Sequence, residues 1–220
     1  MPRHFENELK DLKASLLAMA GQVEEMIALT REAYSERSDT KADQVSTLDQ
    51  GVDQLELRLD QACIDLLALR APFASDLRLI ASTLKIVPTL ERIGDHAVTI
   101  AESGMFLADQ PPVKQLIDIP HMAEVVKTMI ADSITSFINE DATLAKSVCE
   151  RDDIVDGLRN QILRELVTYM TADPATIERS LQLMKISSNL ERIADLATNI
   201  CEDVIYMVKG KVIKHHKDSL

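Results

Sequence analysis

Four pairs of acidic residues stand four positions apart in this 220-residue chain at places that match between its two halves: Asp49/Asp53, Glu91/Asp95, Asp152/Asp156 and Glu191/Asp195. On a helix that spacing puts both carboxylates on one face, where like charges repel by about a few tenths of a kcal/mol. Oxygen donors gathered in this way suit hard cations. The number of pairs carries no signal, since composition alone gives about six and seven occur, counting Glu32/Glu36, Asp39/Asp43 and Glu56/Asp60. The placement carries it, because only the four named pairs recur. A solvated acidic face is the competing reading. On a helical wheel Glu191, Asp195 and Glu202 fall opposite the Leu190/Ile193/Ala197/Ile200/Val204 stripe. A metal site here would therefore be an exposed groove and not a dry bundle core.

Other chemistry finds no carrier. A buried di-iron site needs inward Glu-x-x-His motifs, whereas His96 directly follows Asp95 and position 94 is Gly. His4, His96 and His121 are isolated and read as surface or cap residues. No phosphate-binding glycine loop, nucleophile elbow or H-E-x-x-H motif occurs, and no Ser/His/Asp constellation can be assembled. Cys63, Cys149 and Cys201 lie far apart without C-x-x-C spacing, which points to a reducing compartment. A net charge of −12 argues against nucleic acid as a partner. No apolar leader begins the sequence and no window is apolar enough to span a membrane, so the expected location is cytoplasmic.

The elements that position the acids are helices, as expected with only 6 Gly, 7 Pro and 3% aromatic residues. Leu9, Leu12, Leu16, Met19, Val23, Met26 and Ile27 form a 3-4 stripe on a first helix from about Phe5 to Ser35. The stretch from Ser38 to Asp43 offers N-cap residues for a second helix, whose stripe runs from Val45 to Leu69 and stops at Arg70-Ala71-Pro72. A third spans about Ser75 to Leu107 and should kink at Pro88. Ala108 to Pro120 holds three prolines and reads as a linker. Beyond it come helices over about His121–Cys149 and Asp153–Met170, and one opened by the Asp173-Pro174 cap that runs to about Lys209. Phe106, Phe137 and Met19, Met26, Met184 and Met207 read as core.

The second half repeats the first. At an offset of 100, nine of seventeen residues coincide between LKIVPTLERIGDHAVTI (84–100) and MKISSNLERIADLATNI (184–200). At an offset of 103, Asp49/Val52/Asp53/Leu55 matches Asp152/Val155/Asp156/Leu158. The expected fold is thus all-α, a tandem repeat of two antiparallel three-helix bundles with units 1–110 and 111–220.

These blocks, with the two E-R-I-[GA]-D copies and the DxxVDxL matches, resemble the PhoU family of phosphate-response regulators over essentially the whole chain. The resemblance implies a protein that catalyses no reaction. It implies a metal-binding cytoplasmic adaptor and negative regulator of phosphate uptake, acting between the phosphate ABC transporter ATPase and a membrane sensor histidine kinase. Such an adaptor would be a homodimer and would reach the membrane only through those partners. The resemblance also implies multinuclear clusters of iron or zinc, or else manganese or magnesium. Their ligands would be Asp49, Asp53, Glu91 and Asp95 in one half and Asp152, Asp156, Glu191 and Asp195 in the other, with Glu102 and Glu202 as weaker additions. This sequence departs from the family run at Thr99, Leu196 and Cys201. A carboxylate-bridged metal enzyme and a metal-free helical adaptor are the alternatives. The basic run Lys209–Lys217 reads as solvated, or as a contact for an acidic surface.

Overall fold

A computed structural model of the chain describes residues 2–36, 38–115 and 117–210. The first half is three long helices, α1 (Pro2–Glu36), α2 (Asp39–Arg70) and α3 (Ala74–Ala108). Each packs on the other two along its apolar stripe, with Leu16, Met19, Val52, Leu59, Ile86 and Leu90 fully buried between them. Ser38 caps α2 by accepting from the Lys41 amide at 3.4 Å. Ala71 ends the same helix in the left-handed region at φ 43°. Among the described residues there are no strands.

The second half contains α4 (Asp118–Ile138), α5 (Ala142–Cys149), α6 (Asp152–Ala172) and α7 (Ile177–Lys209). The helix expected over 121–149 is therefore two helices, and the break has a local cause. Glu140 adopts φ 54°. Its amide reaches the Phe137 carbonyl at 3.3 Å and the Asp141 amide reaches the Ser136 carbonyl at 2.8 Å, the paired bonds that close a helix through a left-handed residue. Asp141 then accepts from the Thr143 and Leu144 amides at 2.9 and 3.0 Å and starts α5. Asp173 likewise accepts from the Ala175 amide at 3.0 Å, opening the short turn Pro174–Thr176 that leads into α7.

The two halves join along α3 and α7. Ile93 and Ile193 are fully buried, as are Ala97 and Ala197. The edge of this contact is polar: Arg78 Nε donates to the Met207 carbonyl at 2.8 Å, and Lys85 Nζ pairs with the buried Asp203 carboxylate at 3.2 Å. The linker is tied to the second half, with Lys114 bridging Asp118 and Glu165 and Arg179 donating to the Pro111 carbonyl. Pro88 lies inside α3, which is assigned as one helix through it.

Two apolar assignments need correction: Leu69 and Phe106 are exposed, the first at 74%, and Leu77 on α3 is exposed as well. Leu69 and Leu77 flank the 71–73 turn at the end of the bundle, where the stripe outruns the helices that would cover it. Of the basic run, residues 211–217 lie outside the described residues. Replacing Asp141 with Ala removes the side-chain acceptor for two amides at the start of α5. We expect this to lower unfolding stability by about 1 kcal/mol, measurable by chemical denaturation, with helix content unchanged by circular dichroism.

Candidate metal centre

Acids spaced by three and four residues line one side of α2, and the E-R-I-G-D block of α3 turns Glu91 and Asp95 toward them. The antiparallel packing brings Asp49, Asp53, Glu91 and Asp95 close enough to feel one another's charge. Burial first, and then the neighbouring charges, raises the proton affinity of Asp49 and Glu91 above the ordinary carboxylate range. Glu56 belongs to the same set. It too is shifted upward, by burial and by Asp60, Asp53 and Asp95. The stripe Asp49–Asp53–Glu56–Asp60 was visible in the sequence, but the pair Glu56/Asp60 does not recur in the second half and so escaped the repeat criterion.

Gly94 explains how α2 and α3 approach so closely here. A β-carbon on it would lie 3.0 Å from Asp49 Oδ1 and 3.5 Å from Met26 Cε, so the Asp49 carboxylate rests against bare α3 backbone. The second half has Ala194 at the equivalent position, and its methyl fills that space. Asp156, Glu191 and Asp195 do interact across α6 and α7. Burial, Asp195 and Asp156 raise the proton affinity of Glu191, while Arg159 and Arg192 oppose them. Asp152 stands at the α5–α6 junction with its charge acting on Cys149, whose thiol contacts that of Cys201. Glu202 also acts on Cys149, and Glu102 is exposed. In the first half Asp49, Asp53, Glu91 and Asp95 thus act on one another, and in the second Asp156 and Asp195 act on Glu191.

The first set suits a hard cation in the chemistry of its donors: carboxylate oxygens of the half-buried Asp49 and Glu91 beside those of the exposed Asp53 and Asp95, acting on one another with like charge. The second set suits one less well, because Arg159 already supplies positive charge. Among the described residues no three His, Cys, Asp or Glu side chains converge closely enough to coordinate one ion as they stand. Binding would require the carboxylates to turn inward.

The PhoU domain family matches residues 16–104 and again 119–204 of this chain. A phosphate-specific transport system accessory protein PhoU homolog from Aquifex aeolicus is 43% identical over 208 residues, covering 94% of this chain and 94% of that protein. The homolog from Pseudomonas putida is 40% identical, covering 97% of this chain and 84% of its own length. The crystal structure of PhoU from Pseudomonas aeruginosa superimposes with a TM-score of 0.90 at 40% identity, over 94% of this chain and 100% of the other. The phosphate transport system regulatory protein PhoU from Streptococcus pneumoniae gives 0.89 at 28% identity, over 96% and 99%. Among the described residues no helix is long and apolar enough to cross a membrane.

The raised proton affinity of Asp49 sets a sign for stability. Between the ordinary aspartate value of 3.8 and the higher folded value, the folded state holds more protons than the unfolded one, so stability falls as pH rises through that window. In chelated buffer Asp49→Asn should raise the melting temperature at neutral pH by about 2–4 °C. The gain should vanish below the ordinary aspartate value, where the native side chain is protonated in both states. A scanning fluorimetry series across pH measures both.

Proposed function

Because this chain belongs to the PhoU family, we propose that it is a non-catalytic accessory regulator of a phosphate-specific transport system, built from the repeat units 1–110 and 111–220. In this reading it works in the cytoplasm as a homodimer. It restrains phosphate uptake and the starvation response by contacting the transporter ATPase and a sensor histidine kinase. One observation carries the proposal: both matched segments bring an E-R-I-x-D block against a facing acidic helix, so the feature that recurs in the sequence is also the one assembled in space.

In the same reading the acidic faces bind metal. Asp49, Asp53, Glu91 and Asp95 would hold one cluster, with Glu56 at its edge, and Asp156, Glu191 and Asp195 with Asp152 a second and weaker one. Iron or zinc are the first candidates and manganese or magnesium the next. A bound cation supplies the positive charge these carboxylates lack and lets them remain ionised together. The surface carries the chain's net charge of −12, which disfavours direct adhesion to anionic lipid, so recruitment to the membrane goes through protein partners.

Deleting the gene should switch starvation-reporter output on in phosphate-rich medium, and the wild-type gene should switch it off again. A reporter that stays silent on deletion would refute the regulatory role. Elemental analysis of protein purified without chelator should find bound metal, with Glu91→Ala plus Asp95→Ala removing about half or more of it. Unchanged metal content in that double variant would refute the metal centre without touching the regulatory role.

A further inference from the structure

Where α3 and α7 meet, they leave a groove of about 600 Å³ between the two halves, continuous through Asp95, His96 and Arg192 with a second hollow of about 400 Å³. On a strongly acidic chain this seam is unusual, because Arg92, Arg192 and Lys185 all line it. Arg92 and Arg192 are the arginines of the two E-R-I-x-D blocks, facing one hollow from opposite sides. Among the described residues none of the three cations forms a close ion pair, although Arg192 acts on the Glu191 charge and Asp95 and Asp195 line the hollow beside the two arginines. Lys85, the repeat partner of Lys185, is by contrast paired with Asp203 and sits 5.1 Å above the Tyr206 ring. The position equivalent to Asp203 in the first half is Ser103, so Lys185 is left without such a counterion.

The polar end of the groove is made where the two repeats diverge. His96 stands where the second repeat has Leu196, Ser188 where the first has Pro88, and Asn189 where the first has Thr89. These are three of the eight differences in the seventeen-residue block, and all three residues line the same groove. The orientation of this end is fixed by the backbone. Asn189 Nδ2 donates to the Lys185 carbonyl at 2.7 Å, so its Oδ1 is the acceptor facing His96 Nδ1 at 2.8 Å. His96 therefore carries its proton on Nδ1, and in the neutral ring Nε2 is left with a lone pair.

We propose that this groove binds a phosphate-type oxyanion, free or as the terminal group of a phosphomonoester, gripped by Arg192, Lys185 and Arg92 and oriented by His96. Two guanidinium forks and an ammonium suit an anion with several oxygens and more than one charge. The carboxylates of Asp95 and Asp195 at the rim accept hydrogen bonds and repel bare charge. They favour an anion that still bears an O–H, such as hydrogen phosphate, over sulfate, which has none to donate. The groove shares Asp95 with the acidic face of α2 and α3, but its three cations lie outside that set and need no metal there, so its failure would leave the regulatory reading standing.

Calorimetric titration of the full chain, in chelator and at constant ionic strength, tests this with inorganic phosphate, adenosine monophosphate and sulfate. Saturable binding of phosphate or the monophosphate is expected, and whichever binds more tightly identifies the source of the group. Arg192→Gln and Lys185→Gln should each weaken it about tenfold, while Lys127→Gln on α4, which removes the same charge elsewhere, should not. Absence of saturable binding by both phosphate compounds, equal weakening by Lys127→Gln, or sulfate binding as well as phosphate would overturn the proposal. Thermal melts of each variant establish that it is folded.

Discussion

The packing of α3 on α7 is the constraint from which the remaining features follow. Both helices must bury an apolar stripe on two sides, against their own bundle and against each other, and the residues left outside that stripe are sorted by angle. Within one E-R-I-x-D block, Ile93 enters the core and Glu91 turns toward α2. Arg92 turns the other way, into the seam between the halves. Residues one position apart on a helix point about 100° from one another, so a five-residue motif serves three surfaces at once. The same sorting acts on Glu191, Arg192 and Ile193.

Repetition of the motif does not make the two halves equivalent. In the first, Gly94 lets the Asp49 carboxylate rest against α3, and five acids share one face on which Asp49, Glu56 and Glu91 are partly buried. In the second, Ala194 stands at that position, Arg159 and Arg192 offset Glu191, and the charge of Asp152 acts on Cys149. The first face is thus held under more electrostatic tension, since a like-charge set partly removed from water loses the screening that an exposed set keeps. Divergence at the seam works in the opposite direction. It adds His96, Ser188 and Asn189, and pairs Lys85 but not Lys185, making one end of the groove the more polar.

A period of three to four in the apolar residues, few glycines and prolines, and two internal offsets were enough to establish an all-helical repeat, its helix order and the linker. Those properties are local: side-chain periodicity, capping chemistry and the proline ring act on neighbouring residues whatever the tertiary fold. The acids were legible for the same reason, since i,i+4 spacing places Glu91 with Asp95 on one face without reference to any other helix. The break at residues 139–141 was not legible. Asn139-Glu140-Asp141 contains neither Gly nor Pro, the apolar spacing from Phe137 through Ala142 and Ala145 continues across it, and a non-glycine residue takes the left-handed position.

Tertiary structure alone decided which acids share a face, because that depends on the register of α2 against α3 and of α6 against α7. It added Glu56 to one set. It also decided that Leu69 and Leu77 lie beyond the bundle's cover, and that Arg92, Arg192, Lys185 and His96 meet across a seam between segments a hundred residues apart. Sequence spacing fixes angles around a single helix axis. Only the packing of two axes fixes which side chains face one another across the gap.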